Sequence, residues 1–116
     1  MRRLSLDKRI AIKSSREFDR IFKEGAKRSS EHILVLFSKA EQIKIGFTVS
    51  KKIKGAVTRN RAKRRLRELV RLNQQQLPNQ KAYIFFAKPG VENYDFAKLQ
   101  TEFLNLIEKI RQHQRS

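Results

Sequence analysis

The stretch IKIGFTVSKKIKGAVTRNRAKRRLRELVRLNQQQL, Ile43 to Leu77, changes its period halfway along. Ile43, Ile45, Phe47 and Val49 fall on one side, and Lys44, Gly46, Thr48 and Ser50 on the other. That alternation predicts a strand with one apolar face and one open, polar face. After the basic loop KKIKGA the period becomes helical. At 100° per residue, Ala62, Leu66, Leu69, Val70 and Leu77 form one apolar stripe, which must pack on a sheet. Thr58 is placed to cap this helix, which is expected to run to about Gln76. Asn60, Arg64, Arg67 and Arg71 lie opposite the stripe, and Arg61, Lys63 and Arg65 flank it. Arg59 sits near the stripe's edge in the first turn, from where its side chain can reach toward the sheet.

Lys51 to Arg67 hold nine Lys/Arg and no Asp or Glu; Glu68 is the first acid. Cations at a helix start oppose the dipole, typically by about 0.3–1 kcal/mol each. Ordinary solvated helix faces mix signs to gain i, i+4 pairs, and this one does not. The chain carries a net charge of +17 and a pI of about 11.0, so an acidic partner is expected. A membrane-surface helix needs a broad, bulky apolar face with aromatic residues. Here the stripe is narrow, lacks aromatics and is needed by the core. Arginine predominance favours phosphate, because the guanidinium fork matches its oxygens in pairs. No helix-turn-helix, zinc-finger or zipper spacing is present, nor the glycine-aromatic signature of the common RNA-binding sheet. Composition and periodicity stop at a nucleic-acid-binding domain.

The rest of the 116 residues supplies the partners of this strand and helix. Residues 1–13 read as a basic arm, ending in a short extended piece. Ser14 and Glu17 have capping-box spacing and Gly25 is a stop signal, bracketing a helix with Phe18, Ile21 and Phe22 on one face. HILVLFS, His32–Ser38, is a strand apolar on both sides. With KAEQ as the turn, it is expected to form an antiparallel hairpin with the strand at Ile43. AYIFFAK, Ala82–Lys88, is a buried strand ended by Pro89-Gly90. A last helix starts near Asp95, with Phe96, Leu99, Phe103, Leu106, Ile107 and Ile110 on one stripe. The expectation is one α+β domain over residues 1–116. There are no cysteines, which excludes disulfides and thiolate metal sites. No signal peptide or membrane span is legible, so a cytoplasmic location is expected.

The segment IGFTVSKKIKGAVTRNRAKRRLRELVR resembles the signature of the bacterial ribonuclease P protein subunit. The hallmarks are a strand ending in Val-Ser-Lys-Lys, then Ala-Val, then Arg-Asn-Arg opening a basic helix. They stand here as Val49, Ser50, Lys51, Lys52, Ala56, Val57, Arg59, Asn60 and Arg61. Upstream, SSREFDRIFKEG resembles the family's Phe-x-x-x-Phe helix, and AYIFFAKPG also fits; the likeness covers roughly residues 9–112. The resemblance implies an α-β-β-β-α-β-α order with a left-handed crossover, like the second domain of a small-subunit ribosomal protein. It therefore implies a third strand before the basic helix, where periodicity shows two. It implies a catalytic RNA as partner, precursor tRNA as substrate, Mg²⁺ held mainly by the RNA, and neither DNA nor membrane. The RNA-facing set it implies is Lys51, Lys52, Arg59, Asn60, Arg61, Lys63, Arg64, Arg65 and Arg67. The implied cleft for the 5′ leader is Phe18, Phe22, Phe47 and Val49. A cleft position that is often Tyr in relatives is Leu36 here, so it offers neither a ring to stack nor a hydroxyl.

Two other readings compete. A stand-alone protein nuclease would need metal carboxylates or an acid–base pair, yet the eleven acids are scattered. His32 falls in a strand and His113 in an expected frayed end. A ribosomal or architectural RNA-binding protein explains the charge, but not Arg-Asn-Arg in its strand–loop–helix setting. Without the resemblance, Phe18 and Phe22 beside Ile21 read as core.

Overall fold

The computed structural model describes residues 11–12 and 14–115. The elements are α1 (Ser15–Glu24), β1 (Ala26–Ser29), β2 (Ile33–Lys39), β3 (Lys44–Val49), α2 (Ala56–Asn73), β4 (Lys81–Ala87) and α3 (Phe96–Arg115), with a 3₁₀ turn at Gln74–Gln76 after α2. The order is the α-β-β-β-α-β-α that the resemblance implies. The strand that periodicity missed is β1. Its AKRS is too short and polar to alternate visibly, and its partner identifies it: Ala26 to Ser29 pair antiparallel with Phe37 to Leu34.

The expected hairpin between β2 and β3 does not form. The sheet order is β1-β2-β4-β3, with β4 inserted antiparallel to β2 and parallel to β3. β2 and β3 do run in opposite directions, but two strand positions apart. Burial gives the reason. Six of the seven residues of β4 are buried, so it belongs where strands cover both of its edges. The residues between Lys39 and Lys44 can bridge a gap of two strand spacings, about 9–10 Å. α2 then carries the chain from β3 to its parallel neighbour β4.

Helix α1 starts where the spacing predicts, with Ser14 Oγ accepting from Glu17 N–H at 3.3 Å. It ends at Gly25 for a steric reason. That residue has extended φ/ψ, and a Cβ there would lie 2.6 Å from Ile21 O and 2.9 Å from Phe37 O. Thr58 is not the cap of α2. The cap is Gly55 at φ 86°, with no side chain bonded to the helix start; the positive φ lets the loop turn into the helix at once. Of the expected arm, Ala11 makes a parallel bridge with Ile45, and Ile12 N–H donates to Ile45 O at 3.1 Å. Residues 1–10 and 13 lie outside the described residues.

The sheet separates two apolar clusters. The larger holds Val35, Phe37, Ile45, Tyr83 and Phe85 beneath α2 and α3. It includes the whole predicted α2 stripe and the α3 stripe from Leu99 to Ile110, with Phe96 at its margin. Burying a Val or Leu side chain contributes about 1.5–3 kcal/mol. The four large residues of the α2 stripe therefore outweigh the dipole penalty of its cations. The smaller cluster, Ile21, Leu36, Ala82 and Ile84 with Ile12, Phe18 and Leu34 around it, lies beneath α1. β3's second face is thus not open throughout. Phe18 and Ile12 close over Gly46, where a Cβ would meet Phe18 Cε2 at 3.0 Å and Ile12 Cδ1 at 3.3 Å.

α3 is tied to the β1–β2 turn by one carboxylate. Glu102 accepts from Ser30 Oγ, from His32 N–H at 2.7 Å and from the His32 ring at 2.9 Å. Burial pushes the Glu102 carboxyl up, but these hydrogen bonds outweigh it and hold the group below its ordinary value of 4.5. A carboxyl depressed in the folded state adds stability above its unfolded value, and that stability is lost as pH falls through the folded value. Glu102→Gln is therefore expected to melt below wild type at neutral pH and to converge on it in acid. Melting curves between pH 7 and pH 3 check this; a constant offset would contradict it. His113 is packed rather than frayed, its ring edge-on to Phe37 at 5.3 Å with Arg28 bonded at 3.0 Å.

Candidate RNA interface

The loop between β3 and α2 is a built turn. Ser50 N–H donates to Ala87 O at 2.9 Å, and Ile53 N–H to Ser50 O at 3.1 Å. Lys52 N–H donates to Ser50 Oγ at 3.1 Å. Arg59 closes it from the helix, donating to Ser50 O at 2.9 Å and Ile53 O at 3.0 Å. With Ser50 and Ile53 buried, Lys51, Lys52 and Lys54 stand exposed on the turn's outside. The position of Arg59 at the stripe's edge foreshadowed its inward reach; its role in the structure is to hold the loop.

Arg65 is also engaged. It donates to Val91 O at 2.9 Å and to Tyr94 O, with its guanidinium carbon 5.6 Å from the Phe96 ring centre. It thus pins α2 to the segment between β4 and α3. Asn60, Arg61, Lys63, Arg64 and Arg67 are exposed. Arg71, on the same solvent side, is paired with Glu68, and that hydrogen bond holds the Glu68 carboxyl below its ordinary value. The predicted RNA-facing set therefore divides. Lys51, Lys52, Asn60, Arg61, Lys63, Arg64 and Arg67 form one outward surface, whereas Arg59 and Arg65 are bound to backbone carbonyls. Lys54 joins that surface; its place in the same acid-free run is the signal that could have included it.

The four predicted cleft residues are not brought together. Phe18 and Phe22 stack at 6.3 Å on α1, on the side of the smaller cluster. Phe47 stacks on Phe85 at 6.1 Å, and both Phe47 and Val49 pack against the larger cluster. They lie on opposite faces of the sheet. Alternation decides this, since the apolar side of β3 is the side that α2 covers. The residues of β3 that do share the α1 face are Lys44, Gly46 and Thr48. Register sets Leu34, Phe86 and Thr48 in one cross-strand row on that face, each partly exposed. Phe22, 37% exposed, stands beside the smaller cluster without entering it. Leu36, by contrast, is fully buried there. Sequence reading missed Leu34 and Phe86 because β2 and β4 are apolar on both faces, and only α1's position shows which side stays open.

A small α+β protein with an acid-poor arginine helix outward and a partly bare aromatic sheet face behind it belongs to the nucleic-acid-binding class. The family model described as Ribonuclease P matches residues 6–111. The ribonuclease P protein component of a Nitratiruptor species is 37% identical over 100 residues, covering 86% of this chain and 91% of that one. That of Natranaerobius thermophilus is 34% identical, covering 86% and 89%. The structure of the RNase P protein from Thermotoga maritima superposes with a TM-score of 0.75 at 28% identity, covering 85% of this chain and 96% of that one. The chain belongs to the ribonuclease P protein family. It is the protein subunit of that endoribonuclease, acts in tRNA processing, and partners with ribonuclease P RNA.

Proposed function

We propose that the two sides of this protein hold two different RNAs. The outward surface of the β3–α2 loop and α2 binds the RNA of ribonuclease P, which is the catalyst. The α1 face of the sheet, with Phe18, Phe22, Leu34, Phe86 and Thr48, receives the 5′ leader of precursor tRNA. The observation that carries this reading is the segregation itself. Exposed cations gather on one side, where they outnumber the acids Glu68 and Glu92 beside Arg61, Arg64 and Arg65, an arrangement suited to a phosphate-dense surface. Partly exposed rings lie on the other, suited to unpaired bases. Among the described residues no three His, Cys, Asp or Glu side chains gather into a group that could hold a metal ion. The reading assigns the Mg²⁺ ions mainly to the RNA, and places the complex in the cytoplasm.

The test is leader release from precursor tRNA at low and at high Mg²⁺, with protein alone, RNA subunit alone and both together. The protein alone is expected to release nothing. The complete complex is expected to outpace the RNA alone, most clearly at low Mg²⁺, where cations from the protein replace some of the counter-charge. Sustained cleavage by RNA-free protein would contradict the division of labour.

A further inference from the structure

Phe47 does not face α1, and its surroundings give it another task. Its ring is partly exposed at the sheet's β3 edge and stacks on Phe85, which in turn stacks on buried Tyr83 at 5.8 Å. Over the Phe47 ring lies Arg67, whose guanidinium carbon is 5.5 Å from the ring centre. Arg67 is exposed and, unlike Arg59 and Arg65, donates to no protein acceptor among the described residues. We propose that Phe47 is a positioning residue for RNA binding, holding Arg67 in place on the α2 surface. This rests on the reading that the surface binds ribonuclease P RNA.

The physical case has two parts. A guanidinium placed over a ring uses its flat face there, and its N–H donors, which lie in its plane, stay free for phosphate oxygens. The ring also removes freedom that a long arginine would otherwise lose on binding, so less of the phosphate contact is offset by ordering. Phe47 is itself held by the Phe85 ring, which is backed in turn by Tyr83, and this makes it a firm support. Among the described residues Arg61 and Arg64 have no comparable ring contact, and Arg65, which lies over Phe96, gives its donors to backbone carbonyls.

The experiment is the affinity for the RNA subunit, as a function of salt, for wild type, Phe47→Leu, Arg67→Ala and the double variant. Melting curves run alongside. Phe47→Leu is expected to weaken binding about two- to fivefold, the range of an exposed cation–π contact. It should lose nothing further in the Arg67→Ala background. Phe47→Tyr, which keeps a ring, should bind as wild type does. Fluorinated phenylalanines at position 47 keep the ring and its packing while draining its negative face, and should lower affinity in step with fluorine content. These remain informative even where Phe47→Leu folds poorly. An equal Phe47→Leu loss with and without Arg67, or affinity indifferent to fluorination, overturns the positioning role while leaving the RNA surface standing. No loss from Arg67→Ala removes Arg67 from the interface and overturns the role of Phe47 with it; if Arg64→Ala is equally silent, the RNA-surface reading fails too.

Discussion

Replacing Arg61 and Arg64 together with alanine is expected to weaken binding of the ribonuclease P RNA and to flatten its salt dependence by about two units, one for each phosphate left without its cation. Six exposed cations from the predicted set (Lys51, Lys52, Arg61, Lys63, Arg64 and Arg67) share one surface. If each neutralises one phosphate, log affinity falls with log salt at a slope of about −4 for single strands to −5 for a duplex. Between 50 and 200 mM salt that is a loss of roughly 300- to 2,000-fold. Both arginines lie off the apolar stripe and bond to no backbone carbonyl among the described residues. The variant should therefore melt as wild type does, so that any change belongs to binding. Arg59→Ala and Arg65→Ala make the contrast. They remove donors bound to Ser50, Ile53, Val91 and Tyr94 carbonyls, so stability should fall along with affinity. An unchanged salt slope in the Arg61/Arg64 variant would mean that this side of the helix is only solvated.

Phe22→Ala is expected to cost binding of precursor tRNA with a long leader about 1–3 kcal/mol for each base that stacks on the ring, and to cost nothing when the leader is too short to reach it. Affinity for the RNA subunit should stay at the wild-type level, because Phe22 and the α2 surface lie on opposite sides of the sheet. A phenylalanine in the core would behave otherwise, with truncation taking about 3–5 kcal/mol from folding and harming every RNA at once. The 37% exposure of Phe22 already separates it from that case, whereas Phe18, lying over Gly46, should show a mixture of both losses. The measurement is a two-by-two comparison of wild type and Phe22→Ala with long and short leaders, together with melting curves. Equal losses on both leaders with a lowered melting temperature would remove Phe22 from the cleft.

By itself the sequence determined the elements whose signals are local. The α2 stripe, the α3 stripe, the alternation of β3 and the Ser14 cap all stand where periodicity puts them, because burial of a repeating face needs no knowledge of the partner. The acid-free run from Lys51 to Arg67 marked the cationic surface for the same reason, since charge imbalance is a property of composition. Tertiary structure alone decided three things. Strand neighbours were the first. β4, the most buried strand, goes between β2 and β3 although it follows both in the chain, and only the competition for central positions in the sheet sets that order. The second was which side of the sheet each ring serves. Phe18 and Phe47 read alike as apolar residues on amphipathic elements, but α1 covers one face and α2 the other. The third was which arginines are free. Arg59, Arg61, Arg65 and Arg67 are the same residue along one helix, and what separates them is the presence or absence of a backbone carbonyl within reach of the guanidinium, a fact of the folded chain and not of its order.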